Sequence, residues 1–289
     1  MIEDNKIVNG LWIGKSLSSI ELLCIKSFLA NGHDFYLWVY DQIETKLPEG
    51  TIVKDATEII LRENVFCYKN TNQYGHGKGS YAGFSDIFRY KLLYEKGGWW
   101  VDMDVVCLKP LDFYEPYVFR THHEFAIVGN IMKCEKNSEV MRICYEKATR
   151  LVDENNRDWN LPIRVLNETV QELRLEHYIK EISNPDSWLY IRKLLLCKYL
   201  FPNHWYALHL VNEEWRHHRI DKKSIPRKSY LGKLLKQYDL LESSPLYKRT
   251  ANILRLFIIR FSFKQIVGLG IMIFWKTIRV FKKEKPQKP

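Results

Sequence analysis

A chain of 289 residues with 46% hydrophobic and 27% charged side chains can bury a full core without disulfides, and one large α/β domain with an appendage is favoured over two equal domains. No internal repeat or low-complexity block interrupts it, which excludes repeat architectures and disordered linkers. The net charge of +10 is unevenly spread: from Trp215 to Pro289 there are 19 Lys and Arg against 4 Asp and Glu, leaving 25 against 30 elsewhere, so a near-neutral body precedes a basic tail that seeks an anionic surface.

The opening MIEDNKIVNG has no basic stretch followed by an apolar run and does not read as a signal peptide. Lys6–Gly14 reads as a first buried strand. Ser18–Ala30 has Ile20, Leu23, Cys24 and Phe28 at helical spacing, with serines available as an N-cap. Phe35–Tyr40 is a second strand, and this βαβ opening favours a parallel sheet covered by helices. A polar, glycine-rich loop over Lys69–Ser80 leads into a helix over Tyr81–Lys96. Gly97-Gly98 ends that helix, because glycine takes positive φ without a Cβ penalty. Trp99–Asp102 returns as a short strand, Val105–Leu108 resumes extended structure, and Glu124–Cys134 is a further strand. Helices follow near Ser138–Leu151 and Ile163–Ile179.

Asp102 and Asp104 are two residues apart at the end of an apolar strand. In extended chain such residues project to one face, with Met103 turned away. The carboxyl end of a strand in an open α/β sheet is where ligand crevices form, and two hard oxygen ligands there suit Mg²⁺ or Mn²⁺. Such a cation would bridge two diphosphate oxygens and stabilise a departing nucleoside diphosphate. Alone, an Asp-x-Asp is equally compatible with two solvated turn aspartates. In the preceding helix, Asp86 and Arg89 are neighbours on one face, with Gly83 and Ser85 near the helix start, where backbone N–H groups favour oxygen-rich ligands. Taken by itself, that pair also fits a surface ion pair.

Together these elements form FSDIFRYKLLYEKGGWWVDMDVVCLKPL, which resembles the sugar-binding region of glycosyltransferase family 32. That family spans bacterial capsular polysaccharide transferases, fungal initiating mannosyltransferases and, more distantly, the clostridial glucosylating toxins. Its Ser-Asp-x-x-Arg-Tyr helix, Gly-Gly, aromatic and Asp-x-Asp are filled by Ser85, Asp86, Arg89, Tyr90, Gly97, Gly98, Trp100, Asp102 and Asp104. VNGLWIGKSLSS also resembles the family's opening strand. The resemblance implies a GT-A-like, Rossmann-like α/β fold, a nucleotide-diphospho-sugar donor, a retaining hexosyl transfer and a divalent cation, Mn²⁺ or Mg²⁺. It implies that Trp12 stacks on the nucleotide base and that Ser85, Asp86 and Arg89 lie against the donor sugar. Asp102 would contact ribose or the metal shell, and Asp104 would ligate the metal. Trp100 stands where the family more often has Tyr, keeping an aromatic wall while dropping a hydroxyl. No catalytic base is implied.

Downstream, FPNHWYALHLVNEEW resembles the His-containing strand that related transferases place near the metal. His209 is the candidate third ligand, near Asn212 and Trp215, ahead of His204, His217 and His218. Tyr74, Gly75, His76 and Gly77 are candidate sugar or acceptor contacts. The six cysteines contain no CxxC pair and no regular framework, which argues against a zinc site and a disulfide scaffold and for a reducing cytoplasmic compartment. Residues 1–240 are read as the catalytic domain and 241–289 as a basic, amphipathic helical tail. Its longest uncharged run, Gln265–Trp275, is far short of the ~20 residues a spanning helix needs. Peripheral contact with the inner face of the cell membrane fits better, with a helical pair packed on the body as the alternative. The acceptor class implied is a glycan or lipid-linked glycan of capsule, O-antigen or exopolysaccharide synthesis, with no nucleic-acid partner.

Two other functions fit parts of the chain. WWVDMDVV satisfies the nucleophile motif of haloacid-dehalogenase-like phosphohydrolases, but that fold needs a later Asp-Asp metal motif and none occurs. A non-enzymatic membrane- or polyanion-binding protein accounts for the tail but leaves the motif-bearing body unexplained.

Overall fold

The computed structural model describes residues 5–75, 77–196 and 202–258. The opening βαβ unit forms as the sequence predicts. Strand β1 (Ile7–Trp12) and helix α1 (Ser19–Ala30) lead into β2 (Asp34–Val39), which pairs in parallel with β1. Ser18 caps α1 in a reciprocal box with Glu21, satisfying backbone N–H groups that have no partner within the helix. A further parallel strand, β3 (Ile52–Asp55), joins the edge beyond β2. It is short and mostly exposed, so it carries no hydrophobic alternation from which to read it.

Helix α2 (Ala82–Lys96) stops at Gly97. Gly97 has φ 70° and ψ −166°, and a Cβ there would lie 2.7 Å from the Lys136 amide nitrogen, so both conformation and space require glycine. The chain then enters β4 (Gly98–Val101), which pairs in parallel with β1 on one side and antiparallel with β7 (Ile127–Cys134) on the other. With β6 (Val118–Thr121) and β8 (Ile179–Lys180), the sheet has the order β3-β2-β1-β4-β7-β6-β8. Its β3-β2-β1-β4 half is all parallel, as in a mononucleotide-binding unit whose strand order reverses between β1 and β4. This is the mixed α/β arrangement, with a parallel sheet half covered by helices, that the sequence implies.

Alternation along Gly98–Val101 sends Trp99 and Val101 to one face and Trp100 to the other. On the first face Cys24, Ile25 and Phe28 of α1 pack with Val8, Phe35, Leu37, Trp99 and Val101. On the second, Phe84, Phe88 and Leu92 of α2 pack with Trp38 and Trp100, backed by α3 (Glu139–Leu151) and α4 (Leu161–Glu172). Helix α4 is shorter than the predicted Ile163–Ile179. Arg174 takes φ 56° and Leu175 donates back to the Val170 carbonyl at 2.9 Å, a Schellman-type closure that ends it.

Strand β5 (Val105–Cys107) leaves the main sheet and pairs antiparallel with β9 (Ala207–His209). Helices α5 (Trp188–Leu196), α6 (Asn212–His217) and α7 (Tyr230–Gln237) gather around this ribbon in a third core cluster that includes Val106, Leu208, Trp215 and Leu235. Helix α8 (Leu246–Ile258) is tied to the body by Asn252, which exchanges hydrogen bonds with the Asp221 backbone at 2.8 and 3.1 Å. The remainder of the predicted tail, 259–289, lies outside the described residues. Among those described, no helix is long and apolar enough to cross a membrane, and Cys24, Cys67, Cys107, Cys134 and Cys144 are free thiols.

Candidate active site

The strand does not run through the acidic pair. Strand β4 ends at Val101, and Asp102–Val105 forms a turn closed by the Val105 amide on the Asp102 carbonyl at 3.0 Å. The expected extended backbone across Asp102 and Asp104 is therefore replaced by a turn, because β5 must swing out of the main sheet to meet β9. Met103 still turns inward: a Cβ on Gly10 would lie 2.7 Å from its sulfur, so the bare glycine makes room for it.

The turn delivers both carboxylates to the carboxyl end of β4, beside the end of β1 at the sheet's reversal point. Asp102 is held by two donors. The Trp100 indole N–H donates to Asp102 Oδ1 at 2.9 Å, and Arg89 Nη2 approaches the same oxygen at 3.0 Å. Arg89 also pairs with Asp86 at 3.2 Å, and its guanidinium lies 5.2 Å from the Trp100 ring centre. The Arg89 side chain is only 6% exposed, so the pair is a buried bridge from α2 to the acidic turn, not a surface ion pair. Its seat is shaped by Gly129 of β7, where a Cβ would lie 2.7 Å from Arg89 Nη1. Burial pushes the Asp86 carboxyl up to about 6 despite Arg89, with Asp102 adding to the rise.

Asp104 faces the ribbon. Its carbonyl accepts from the Leu210 amide at 3.0 Å and its Oδ2 accepts from the Asn212 amide at 2.5 Å. Val211, between them, has φ 53°, a left-handed conformation that costs a β-branched residue about 1–3 kcal/mol. Burial raises the Asp104 carboxyl, but His209 and the Asn212 amide outweigh it and hold it below the usual range. His209 Nε2 lies 3.4 Å from Asp104 Oδ2, and its Nδ1 donates to Asp186 Oδ1 at 2.7 Å. Burial lowers the His209 imidazole, yet the carboxylates of Asp186 and Asp104 carry it well above its usual value.

One ligand atom from each of Asp102, Asp104 and His209 lies within 4.8 Å of the others, the metal-capable group among the described residues. Ligand atoms around an octahedral cation with bonds of about 2.1 Å sit about 3 Å apart, close to the Asp104–His209 separation. Two hard oxygens and one imidazole nitrogen therefore fit Mn²⁺ or Mg²⁺.

These residues line a cleft of about 900 Å³ that also includes Trp12, Ser85, Asp86, Arg89 and Trp100, so it gathers every donor-site residue that the sequence singles out. Tyr74 and Gly79 of the glycine-rich loop, together with Trp159, form another part of its wall. His76 lies outside the described residues. His217 and His218 line the cleft outside the three-residue group, and His204 pairs with Glu181 at 3.1 Å. Trp215 is buried, with its indole N–H on the Leu210 carbonyl at 2.7 Å. Sequence reasoning missed Asp186, Arg120, Asn130 and Asn184. They reach the site from β6, β7 and the segment after β8, and no local motif marks them.

Residues 33–124 match the family model described as "Glycosyltransferase sugar-binding region containing DXD motif". No curated protein matches the chain. Similar solved structures include one titled "PaToxG Glycosyltransferase", 15% identical with a TM-score of 0.40, covering 59% of this chain and 70% of that one. A second, a transferase carrying two cysteine-to-serine substitutions, is 11% identical with a TM-score of 0.41, covering 71% of this chain and 94% of that one. The apo-form glycosyltransferase GlyE of Streptococcus pneumoniae TIGR4 is 12% identical with a TM-score of 0.46; the match covers 82% of this chain and 61% of that one. Over residues 33–124, where Asp86, Arg89, Asp102 and Asp104 all lie, the chain carries a glycosyltransferase-type sugar-binding region with its DXD motif.

Proposed function

We propose that the protein is a metal-dependent, retaining glycosyltransferase that moves a hexose from a nucleotide-diphospho-sugar to a glycan or lipid-linked glycan acceptor in bacterial capsule, O-antigen or exopolysaccharide synthesis. The observation that supports it best is the convergence of Asp102, Asp104 and His209 beside the buried Asp86–Arg89 pair in one cleft. In this reading Asp102, Asp104 and His209 hold Mn²⁺ or Mg²⁺. When bound, such a cation supplies Lewis-acid stabilisation to the departing diphosphate. Asp86 and Arg89 hold donor-sugar hydroxyls, Ser85 lies against the sugar, and Trp12 stacks on the base at the end of β1. Trp100 orients Asp102 through its indole N–H and supports Arg89 with its ring. The three-residue ligand set also favours this reading over a phosphohydrolase, which needs an aspartate free to attack phosphorus.

We assign residues 1–240 to catalysis and 241–289 to a tail that rests on anionic lipid at the cytoplasmic face of the membrane. Supporting this, α8 exposes Leu246, Tyr247 and Leu254 on one side of a basic helix. The test is a donor panel of UDP-Gal, UDP-Glc, UDP-GlcNAc and GDP-Man with Mn²⁺, scored by released nucleoside diphosphate. Release from one donor, abolished by chelation, is the expected result. No release from any of them would overturn the assignment.

A further inference from the structure

One heavily bonded polar group in the cleft is left unused by the proposed chemistry. The Asp186 side chain is 14% exposed, and both of its oxygens are engaged. Oδ1 accepts from Arg120 Nη2 at 2.6 Å and from His209 Nδ1 at 2.7 Å. Oδ2 accepts from Arg120 Nη1 at 2.8 Å and lies 3.6 Å from His122 Nε2. The Arg120 side chain is 0% exposed, and all five of its N–H groups have acceptors. Beyond the two on Asp186, these are Ser183 Oγ, the Asn184 carbonyl and Asn130 Oδ1. A buried guanidinium is tolerated only when fully paired in this way, and the fork fixes the plane of the Asp186 carboxylate.

The fixed carboxylate meets a fixed imidazole. Asn184 clamps the His209 backbone, accepting from its amide at 2.8 Å and donating to its carbonyl at 3.0 Å. A carboxylate cannot donate, so the 2.7 Å contact requires the proton on His209 Nδ1. That leaves Nε2, 3.4 Å from Asp104 Oδ2, as the nitrogen that a cation would take in exchange for its proton. We propose that Asp186, locked by Arg120, is a positioning residue: it sets the tautomer and ring orientation of His209 so that Nε2 is presented to the cation. This rests on the metal site proposed above. Asp186 is not itself a ligand, because its oxygens are directed at Arg120 and His209 and it lies outside the group of atoms within 4.8 Å. Carboxylates behind metal-bound histidines typically change metal affinity by about 10–100-fold.

The test is the binding of Mn²⁺ alone, followed by loss of the free-ion EPR signal, in wild type, Asp186→Asn, His209→Ala and the double variant. Asp186→Asn is expected to weaken binding by about 10–100-fold in the wild-type background and to change it little once His209 is gone. Equal losses in both backgrounds, or wild-type affinity in folded Asp186→Asn, would overturn the inference while leaving the metal site standing. Absence of Mn²⁺ binding by wild type would instead overturn the metal site, and this inference with it. Should Asp186→Asn fail to fold, ¹⁵N NMR of wild type with Mg²⁺ decides the matter. A protonated Nδ1 on His209 supports the inference, and a protonated Nε2 refutes it.

Discussion

Gly129→Ala would test whether the position of Arg89 matters to donor binding. The new methyl carbon would lie 2.7 Å from Arg89 Nη1 and 3.3 Å from its Cδ, about 1 Å inside normal contact distance. Gly129 is not among the positive-φ glycines, so alanine suits the β7 backbone and the conflict is confined to the guanidinium. Arg89 has little room to yield, since its Nη2 bonds to Asp102 at 3.0 Å and to Asp86 at 3.2 Å. A shift of about 1 Å lengthens both beyond hydrogen-bond range, and a charge-assisted bond is worth about 1.5–3 kcal/mol. Loss of one such interaction at the donor sugar corresponds to about a 10–100-fold fall in kcat/KM for the donor. Overpacking by one methyl adds about 1–3 kcal/mol of destabilisation, so the fold should survive. Donor kinetics by nucleoside diphosphate release, with a melting curve on the same preparation, make the measurement. Unchanged kcat/KM would refute the claim that Arg89 is held in place for donor binding.

Other outcomes follow from neighbouring groups. Asp86, with its carboxyl pushed up to about 6, gains a proton as pH falls through that value, which turns one acceptor oxygen into a donor and removes the charge that pairs with Arg89. Donor KM should rise on the acid side of about pH 6, and Asp86→Asn should have high donor KM at every pH, without that rise. Trp100→Phe keeps a ring near Arg89 but removes the N–H that holds Asp102 at 2.9 Å, so Mn²⁺ affinity should fall, and the melting temperature should fall with it because Trp100 is fully buried. His33 is buried away from the cleft, with Nδ1 donating to the Asn5 carbonyl at 2.9 Å and Nε2 accepting from the Leu111 amide at 3.1 Å. Burial lowers its pKa below 6.5, so below that value the unfolded chain binds the extra proton first. Its contribution to stability is complete above about pH 6.5 and is lost as pH falls. His33→Gln should flatten the difference in melting temperature between pH 7.5 and pH 5.5.

The readable part of the site is the part built locally. Ser85, Asp86 and Arg89 lie on one helix turn, and Trp100, Asp102 and Asp104 follow the Gly97-Gly98 break, so helix and strand spacing place them together before any tertiary contact is known. His209 was found by a motif-like stretch, which is weaker support, and it reaches Asp104 from far along the chain only because β5 pairs with β9. That pairing also explains why the extended reading of Asp102–Asp104 failed: a three-residue strand leaving the main sheet has no periodicity to announce it. Asp186 was invisible for a related reason. Its partner Arg120 is 66 residues away, and a lone aspartate after Asn184-Pro185 looks like any loop aspartate until the fold buries a guanidinium against it. The exposed strand Ile52–Asp55 escaped notice because its backbone joins the sheet without a hydrophobic face.

The most direct measurement is Mn²⁺-dependent release of nucleoside diphosphate by Asp104→Ala against wild type, with the melting temperature recorded for both. A folded variant with no metal-dependent release is the expected result. A folded variant with wild-type turnover would contradict a catalytic cation held by Asp104.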